Sequence, residues 1–174
     1  MEFRFETKYD QKGLTAMARA LRKTIRKKHS RRIHSFGWCI VALTVLLLTL
    51  KRLYEDPWTL GDTLNLAVAV ILIAVLLTED QVNAFFAKKK MLPGTSVAKS
   101  VFTEESYTST TEAAVTKFRY ETVRQVCETA DYFVFLLGRQ HGQIYDKATL
   151  SGGTAQEFRA FLTEKTGKPI AYIE

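Results

Sequence analysis

Two uncharged apolar stretches decide the fold: FGWCIVALTVLLLTL at residues 36–50 and TLNLAVAVILIAVLLT at residues 63–78. The first lies between Arg32 and Lys51. A helix across that interval, at about 1.5 Å per residue, matches the roughly 30 Å hydrocarbon core of a bilayer. An open strand is excluded because its backbone N–H and C=O groups would be unpaired in lipid. The sequence therefore predicts a hairpin of two transmembrane helices, over about residues 33–53 and 60–79.

The residues at the ends of the first stretch favour membrane insertion. Trp38, Tyr54 and Trp58 lie where aromatic side chains prefer the membrane interface. Lys51 and Arg52 have side chains long enough to extend their charged groups into water. The alternative is a pair of buried core helices in a soluble protein, and two such stretches in one chain of 174 residues make it the weaker interpretation.

Basic residues are concentrated outside the hairpin rather than in its connection. They are Arg22, Lys23, Arg26, Lys27, Lys28, Arg31 and Arg32 before the first stretch, and Lys88, Lys89 and Lys90 after the second. The excess predicts a multi-pass membrane protein with both termini in the cytoplasm. These ten residues are predicted to anchor the chain at anionic headgroups. They account for most of the net charge of +7, so no nucleic-acid partner is expected.

The first 32 residues are predicted to form a strand and then an amphipathic helix. Residues 2–9 alternate in a pattern that places Phe3, Phe5, Thr7 and Tyr9 on one face, which is typical of a strand. Asp10 is a candidate N-cap, and apolar residues then recur at helical spacing at Leu14, Met17, Leu21 and Ile25. Because an isolated strand is unstable in water, we expect it to join the sheet of the C-terminal domain.

The chain divides into four parts: residues 1–32, the hairpin at 33–87, a linker at 88–97 containing Pro93 and Gly94, and a domain at 98–174. Short strands are predicted at 99–103, 106–110, 117–120 continuing toward 128, 132–137 and 143–146, with a last strand or extended tail at 168–173. Thr154 and Glu157 have the spacing of a capping box, which opens a helix that ends near Gly167. The predicted class is an α+β membrane protein with a small antiparallel sheet and a C-terminal helix.

This order of parts resembles the YcxB-like family of small bacterial membrane proteins. The resemblance is carried by the Phe-rich N-terminal strand, the hairpin, and the segments YETV at 120–123, YFVF at 132–135, QIYDK at 143–147, EF at 157–158 and TGK at 166–168. It extends over nearly the whole chain. It implies residence in the bacterial cytoplasmic membrane and a cytoplasmic domain similar to pleckstrin-homology domains, and it supplies no catalytic residues.

Candidate chemistry is sparse. Cys127 with His141 is the one nucleophile and base pair of the C-terminal domain, and no third residue orients them. His29, His34 and Cys39 are spaced by five, which does not place all three on one helix face, so interfacial histidines are favoured over a metal site. No catalytic, cofactor or metal-binding residues are therefore predicted. Asn65 is expected to hydrogen-bond across the hairpin or to a second copy of the chain.

Three functional hypotheses follow. The first is a non-enzymatic accessory protein that binds an unknown protein partner through its β domain. Its role would be immunity to a bacteriocin or toxin, or a response to envelope stress. The family resemblance favours this hypothesis. The second is a sensor or scaffold that binds anionic lipid headgroups. The third is a small membrane enzyme that uses Cys127. A homodimer is consistent with so small a two-helix bundle.

Overall fold

The computed structural model describes residues 2–173, which form five α-helices and two four-stranded sheets. In chain order these are β1 Phe3–Lys8, α1 Gln11–Lys23, α2 Lys27–Leu53, α3 Leu60–Leu77, α4 Glu79–Lys89, β2 Val97–Phe102, β3 Tyr107–Thr110, β4 Val115–Phe118, β5 Gln125–Glu128, β6 Tyr132–Leu136, β7 Gly142–Asp146, α5 Ala155–Thr166 and β8 Ile170–Tyr172. The α+β class is confirmed. All four helices that precede β2 are inserted between two neighbouring strands of one sheet.

The first sheet has the strand order β1-β2-β3-β4, and every neighbouring pair is antiparallel. Phe3 pairs with Phe102 and Lys8 with Val97. Phe3, Phe5 and Thr7 are buried and the residues between them are exposed, as the alternation predicts. The N-terminal strand therefore joins the C-terminal sheet, which confirms that expectation.

The second sheet has the order β7-β6-β5-β8, and β8 runs parallel to β5. The expectation of one small antiparallel sheet was wrong in two respects: there are two sheets, and one pair of strands is parallel. The strand expected from residue 117 toward 128 is also interrupted, because a short 3-10 turn at Tyr120–Thr122 separates β4 from β5. This break moves the chain from one sheet to the other.

Aromatic side chains fill the space between the sheets. The ring of Phe158 on α5 lies 4.8 Å from that of Phe5 and 5.0 Å from those of Phe102 and Phe133, measured between centroids. Helix α5 is placed for this contact by its predicted capping box, in which Thr154 accepts a hydrogen bond from the Glu157 N–H and Glu157 accepts one from the Thr154 N–H. Its end is also as expected, since Gly167 adopts a left-handed conformation with φ 63°.

The outer face of the second sheet is covered by α1. Ala20 and Leu21 of the helix form one apolar cluster with Val134 and Leu136 of β6. The alternate residues of β6, Phe133 and Phe135, point into the core between the sheets. Strand β6 is therefore buried on both faces, which is why its sequence is apolar without alternation.

Helices α2 and α3 form an antiparallel hairpin. Gly37 of α2 faces Leu76 of α3, and at the other end Lys51 Nζ lies 2.5 Å from Asp62 Oδ2. Lys51 is thus engaged in an ion pair within the hairpin instead of extending freely into water. Both helices are long and apolar enough to cross a membrane by length and composition. Helix α4 follows α3 after a break at Thr78, and α2 begins six residues ahead of the predicted span.

Candidate functional site

The junction between the β domain (β1, α1 and residues 97–173) and the apolar hairpin carries a network of charged side chains from three helices. Helix α1 packs against the second sheet on one side and against α4 on the other. Arg22 in the last turn of α1 donates hydrogen bonds from Nε and Nη2 to the two carboxylate oxygens of Asp80 in the first turn of α4, both at 2.7 Å. The fork of the guanidinium matches the planar carboxylate, so this pair fixes both the distance and the rotation between the helices.

The Asp80 side chain is only 8% exposed, and Arg19 lies 3.6 Å from it as a second cation. Hydrogen bonding to Asp80 raises the pKa of the Arg22 guanidinium above its ordinary value, although partial burial opposes the shift. The Arg22 guanidinium therefore keeps its charge at neutral pH. A carboxylate removed from water in this way requires its partners, because an unpaired buried charge is strongly unfavourable.

Glu79 links the same junction to the first long helix. Its Oε2 accepts a hydrogen bond from His34 Nε2 on α2 at 2.5 Å and lies 3.8 Å from Arg22 Nε. Two neighbouring residues of α4 therefore bind two different helices: Glu79 binds α2 and Asp80 binds α1. The junction joins the hairpin to the β domain, because α1 is also part of the β-domain core.

A basic cleft lies beside this junction, where the chain turns from α1 into α2. Its volume is about 770 Å³. Arg26, Lys27, Lys28 and His29 line it from the helices, and Arg139 with Gln140 line it from the turn between β6 and β7. The two walls are joined by a hydrogen bond from Arg26 Nε to the backbone oxygen of Arg139 at 2.7 Å. No acidic residue lines this cleft among residues 2–173.

The ten basic residues predicted as membrane anchors fall into different environments. Arg22 is engaged by Asp80, and Arg26 contributes to the cleft wall. The remaining eight are exposed: Lys23 at the end of α1, Lys27, Lys28, Arg31 and Arg32 in the first two turns of α2, and Lys88, Lys89 and Lys90 at the end of α4. The sequence could not separate Arg22 from the others, because its partner lies 58 residues away.

Asn65 is exposed on α3, and no hydrogen bond joins it to α2 within the described part of the chain, residues 2–173. The bond expected across the hairpin is therefore not formed in this structure. Contact with a second copy of the chain stays a prediction.

Cys127 and His141 differ in their exposure to solvent. Cys127 is completely buried in the apolar cluster under α1, and burial raises the pKa of its thiol to about 11, although a hydrogen bond with Thr24 opposes the shift. His141 is exposed in the turn before β7. A thiol with a raised pKa is mostly protonated near neutral pH and is a poor nucleophile. Within residues 2–173, no group of three or more His, Cys, Asp or Glu side chains is arranged to hold a metal ion.

Glu128 was missed by the sequence reasoning. Its side chain is 1% exposed and is bound by Arg159, whose Nε and Nη2 donate at 2.8 Å, and by Lys147 at 2.5 Å. Burial acts to raise the pKa of Glu128, but these hydrogen bonds outweigh it and hold the pKa below its ordinary value. No local pattern marks this residue, since its partners lie 19 and 31 residues away.

Comparison with known proteins gives one finding. The model of the YcxB-like protein family matches residues 102–162, from the end of β2 into α5. The match confirms the resemblance inferred from the motifs, over a range narrower than the nearly complete one that the order of parts indicated. Neither the curated proteins nor the solved structures contain a match to the chain.

Proposed function

We propose, with the YcxB-like match over residues 102–162 as the premise, that this chain is an integral protein of the bacterial cytoplasmic membrane. The observation that carries the proposal is the exposed apolar surface of the hairpin. Phe36 is 68% exposed, Leu43 55% and Ile71 62%, on helices of 27 and 18 residues. An apolar surface of this extent is strongly unfavourable in water and favourable in a bilayer.

The charged residues at both ends of the hairpin support the same proposal. At the connection, Asp62 is paired with Lys51 and accepts hydrogen bonds from Thr59. At the opposite end, the acidic pair at the start of α4 is bound by Arg22 and His34. Pairing lowers the cost of placing carboxylates near the hydrocarbon boundary.

We infer that the hairpin places both of its ends in the cytoplasm. The β domain and the basic residues of 22–32 and 88–90 lie at the end of the hairpin opposite the short connection, whereas the connection end has only Lys51 and Arg52 beside Glu55 and Asp56. Under the positive-inside rule the basic end is cytoplasmic. Helix α4, with Phe85 and Phe86 exposed and three lysines at its end, is suited to lie along the cytoplasmic surface.

We also infer that the β domain is similar to pleckstrin-homology domains. Two sheets face each other, strands β1 and β7 lie side by side at one corner, and α5 packs its aromatic residues between the sheets. The membrane segment is then an insertion between the first two strands of that domain.

For the activity, we propose binding without catalysis. The protein is an accessory protein whose β domain, held at the membrane through α1, binds a protein partner; immunity to a membrane-active bacteriocin or toxin, or a response to envelope stress, is the proposed role. The complete burial of the Cys127 thiol, its raised pKa and the exposed position of His141 in a turn support a binding role over a thiol enzyme.

Membrane topology is the decisive test. In a Cys39→Ser background, cysteines are introduced at Asp56 in the connection and at Thr163 on α5, and intact cells are treated with a membrane-impermeant maleimide. We expect labelling at residue 56 and none at 163 until the cells are permeabilised, and we expect buried Cys127 to stay unlabelled throughout. Labelling at 163 in intact cells, or release of the chain from membranes by alkaline carbonate, would contradict the proposal.

The cellular role has a separate test. A strain that lacks the gene is compared with its parent for sensitivity to bacteriocins and to inhibitors of cell-wall synthesis, and the wild-type gene is supplied as the control for rescue. Increased sensitivity that the gene reverses is expected. Unchanged sensitivity to every agent would argue against the immunity and envelope-stress roles while leaving the topology intact.

A further inference from the structure

The basic cleft between the α1–α2 turn and the β6–β7 turn has the composition of an anion-binding site. Four consecutive residues, 26–29, place basic side chains on one wall, and Arg139 places another on the opposite wall. Within residues 2–173, no salt bridge to an acidic side chain engages Lys27, Lys28 or Arg139. These cations are therefore available to a ligand.

The local electrostatics are unfavourable without an anion. Like charges in adjacent turns of a helix repel each other. In this cleft the basic side chains also surround the beginning of the 27-residue helix α2, which has no acidic residue in its first turn. Positive charge at that end of a helix is destabilising, because the backbone N–H groups already give it a partial positive charge. Helices usually have acidic residues in the first turn, whereas α2 has basic ones. A bound anion would supply the negative charge that is missing there.

The surface of α2 that adjoins the cleft indicates the kind of anion. His29 lines the cleft, and Ile33, one turn further along the same face, is 50% exposed. Phe36, a further turn on, is 68% exposed. One face of α2 thus runs from the basic cleft to exposed apolar side chains over about two turns, roughly 10 Å. A free phosphate would leave the apolar part of this face without a contact. A phospholipid matches both parts, the cleft with its headgroup and the apolar side chains with its acyl chain.

We propose that this cleft binds the phosphate of one anionic glycerophospholipid, with Lys28 and Arg139 on opposite sides of the headgroup and the acyl chain against Ile33 and Phe36. This inference rests on the membrane location proposed above and adds a specific lipid site to it. Because one wall is the β6–β7 turn, the lipid contacts the β domain and the hairpin together. Occupancy therefore favours the packing of α1 and the β domain against the membrane surface.

The test uses the full chain in nanodiscs made of phosphatidylglycerol and phosphatidylcholine, followed by native mass spectrometry of the released protein. The cleft variant Lys28→Gln/Arg139→Gln is compared with Lys88→Gln/Lys89→Gln, which removes the same charge at the end of α4, outside the cleft. We expect one retained phosphatidylglycerol on the wild type, at least about a fivefold lower retained fraction in the cleft variant, and less than about a twofold change in the control.

Two further arms complete the experiment. Lys28→Arg/Arg139→Lys keeps the charge and is expected to retain the lipid, which separates loss of binding from loss of fold. Soluble glycerol phosphate at millimolar concentration is expected not to displace the lipid. Equal losses in the cleft variant and the Lys88/Lys89 control, equal retention of the two lipids, or full displacement by glycerol phosphate would overturn the proposal. Since only protein shown to be inserted in nanodiscs is measured, these outcomes leave the topology test unaffected.

Discussion

Glu128 is a buried charged residue whose partners come from two other parts of the β domain, and no signal in the sequence marks it. Its carboxylate is almost fully removed from water at the end of β5 and is held by Arg159 from α5 and Lys147 after β7. A buried carboxylate is tolerated only when its hydrogen-bonding capacity is filled. The three residues therefore act as one unit that joins β5, α5 and the segment after β7.

Replacing Glu128 with Gln is predicted to destabilise the fold by about 2 kcal/mol, because two cations lose their anionic partner. In a chain of 174 residues this corresponds to a decrease of roughly 4–8 °C in the midpoint of thermal unfolding. The folded-state pKa of Glu128 is below its ordinary value, so its stabilising contribution is complete above the ordinary carboxyl pKa and is lost as the pH falls through the folded-state value. The difference between wild type and variant is thus expected to be constant near pH 7 and to shrink below about pH 4.5.

Circular dichroism in detergent, recorded from pH 7 to pH 3, measures this difference. The matched control is Glu157→Gln on α5, where Gln can also fill the N3 position of the capping box and the change is expected to remain within about 0.5 kcal/mol. A Glu128→Gln variant as stable as the control at pH 7 would show that the buried carboxylate contributes nothing.

At the scale of elements, periodicity predicted most helices and strands but not which faces they share. The alternation of residues 3–8, the capping signals of α5 and the apolar run of β6 each appear where expected, because they depend on neighbours within one or two turns. The parallel pairing of β8 with β5 could not be predicted, because Val126 and Ile170 are brought together only by the completed fold. The same applies to α1, whose apolar face was visible and whose second contact, with α4, was not.

The contact between α1 and α4 is predicted to depend on Arg22 and Asp80 as a coupled pair. In a double-mutant cycle with Arg22→Gln and Asp80→Asn, the double variant is expected to lose less stability than the two single losses together, with a coupling energy of about 1–2 kcal/mol. The charge-swapped variant Arg22→Asp/Asp80→Arg is expected to recover part of the loss. Thermal unfolding in detergent measures the free energy of unfolding of the wild type and of each variant.

An exposed pair supplies the control for this cycle. Arg4 and Glu2 lie 2.6 Å apart with side chains 67% and 44% exposed, and exposed pairs of this kind are typically worth less than about 1 kcal/mol. The coupling energy of Arg4→Gln with Glu2→Gln should therefore be the smaller of the two. Equal coupling in both cycles would mean that partial burial does not strengthen the Arg22–Asp80 pair.

At the scale of the whole molecule, the sequence predicted the order of parts and not their connection. Composition alone separates the apolar hairpin from the β domain, and the alternation of residues 3–8 indicated that the start of the chain joins a sheet of the C-terminal domain. What composition cannot show is that α1 belongs to both parts, since it covers the second sheet and is also bound to α4. The basic cleft could not be predicted from the sequence either. Residues 26–29 and 139–140 approach each other only because α1 packs against the second sheet.

A rigid connection has a measurable consequence across the molecule. In a Cys39→Ser background, spin labels are attached to cysteines introduced at Leu53, at the far end of α2, and at Thr163 on α5, both exposed positions. Pulsed dipolar spectroscopy in nanodiscs is predicted to give one narrow distance distribution, because the junction of α1, α2 and α4 fixes the β domain relative to the hairpin. Asp80→Asn is predicted to broaden it, since α1 loses its ion pair with α4, while Glu2→Gln leaves it unchanged. A broad distribution in the parent protein would mean that the β domain moves independently of the membrane helices, and displacement of the hairpin would then have no route to the β domain.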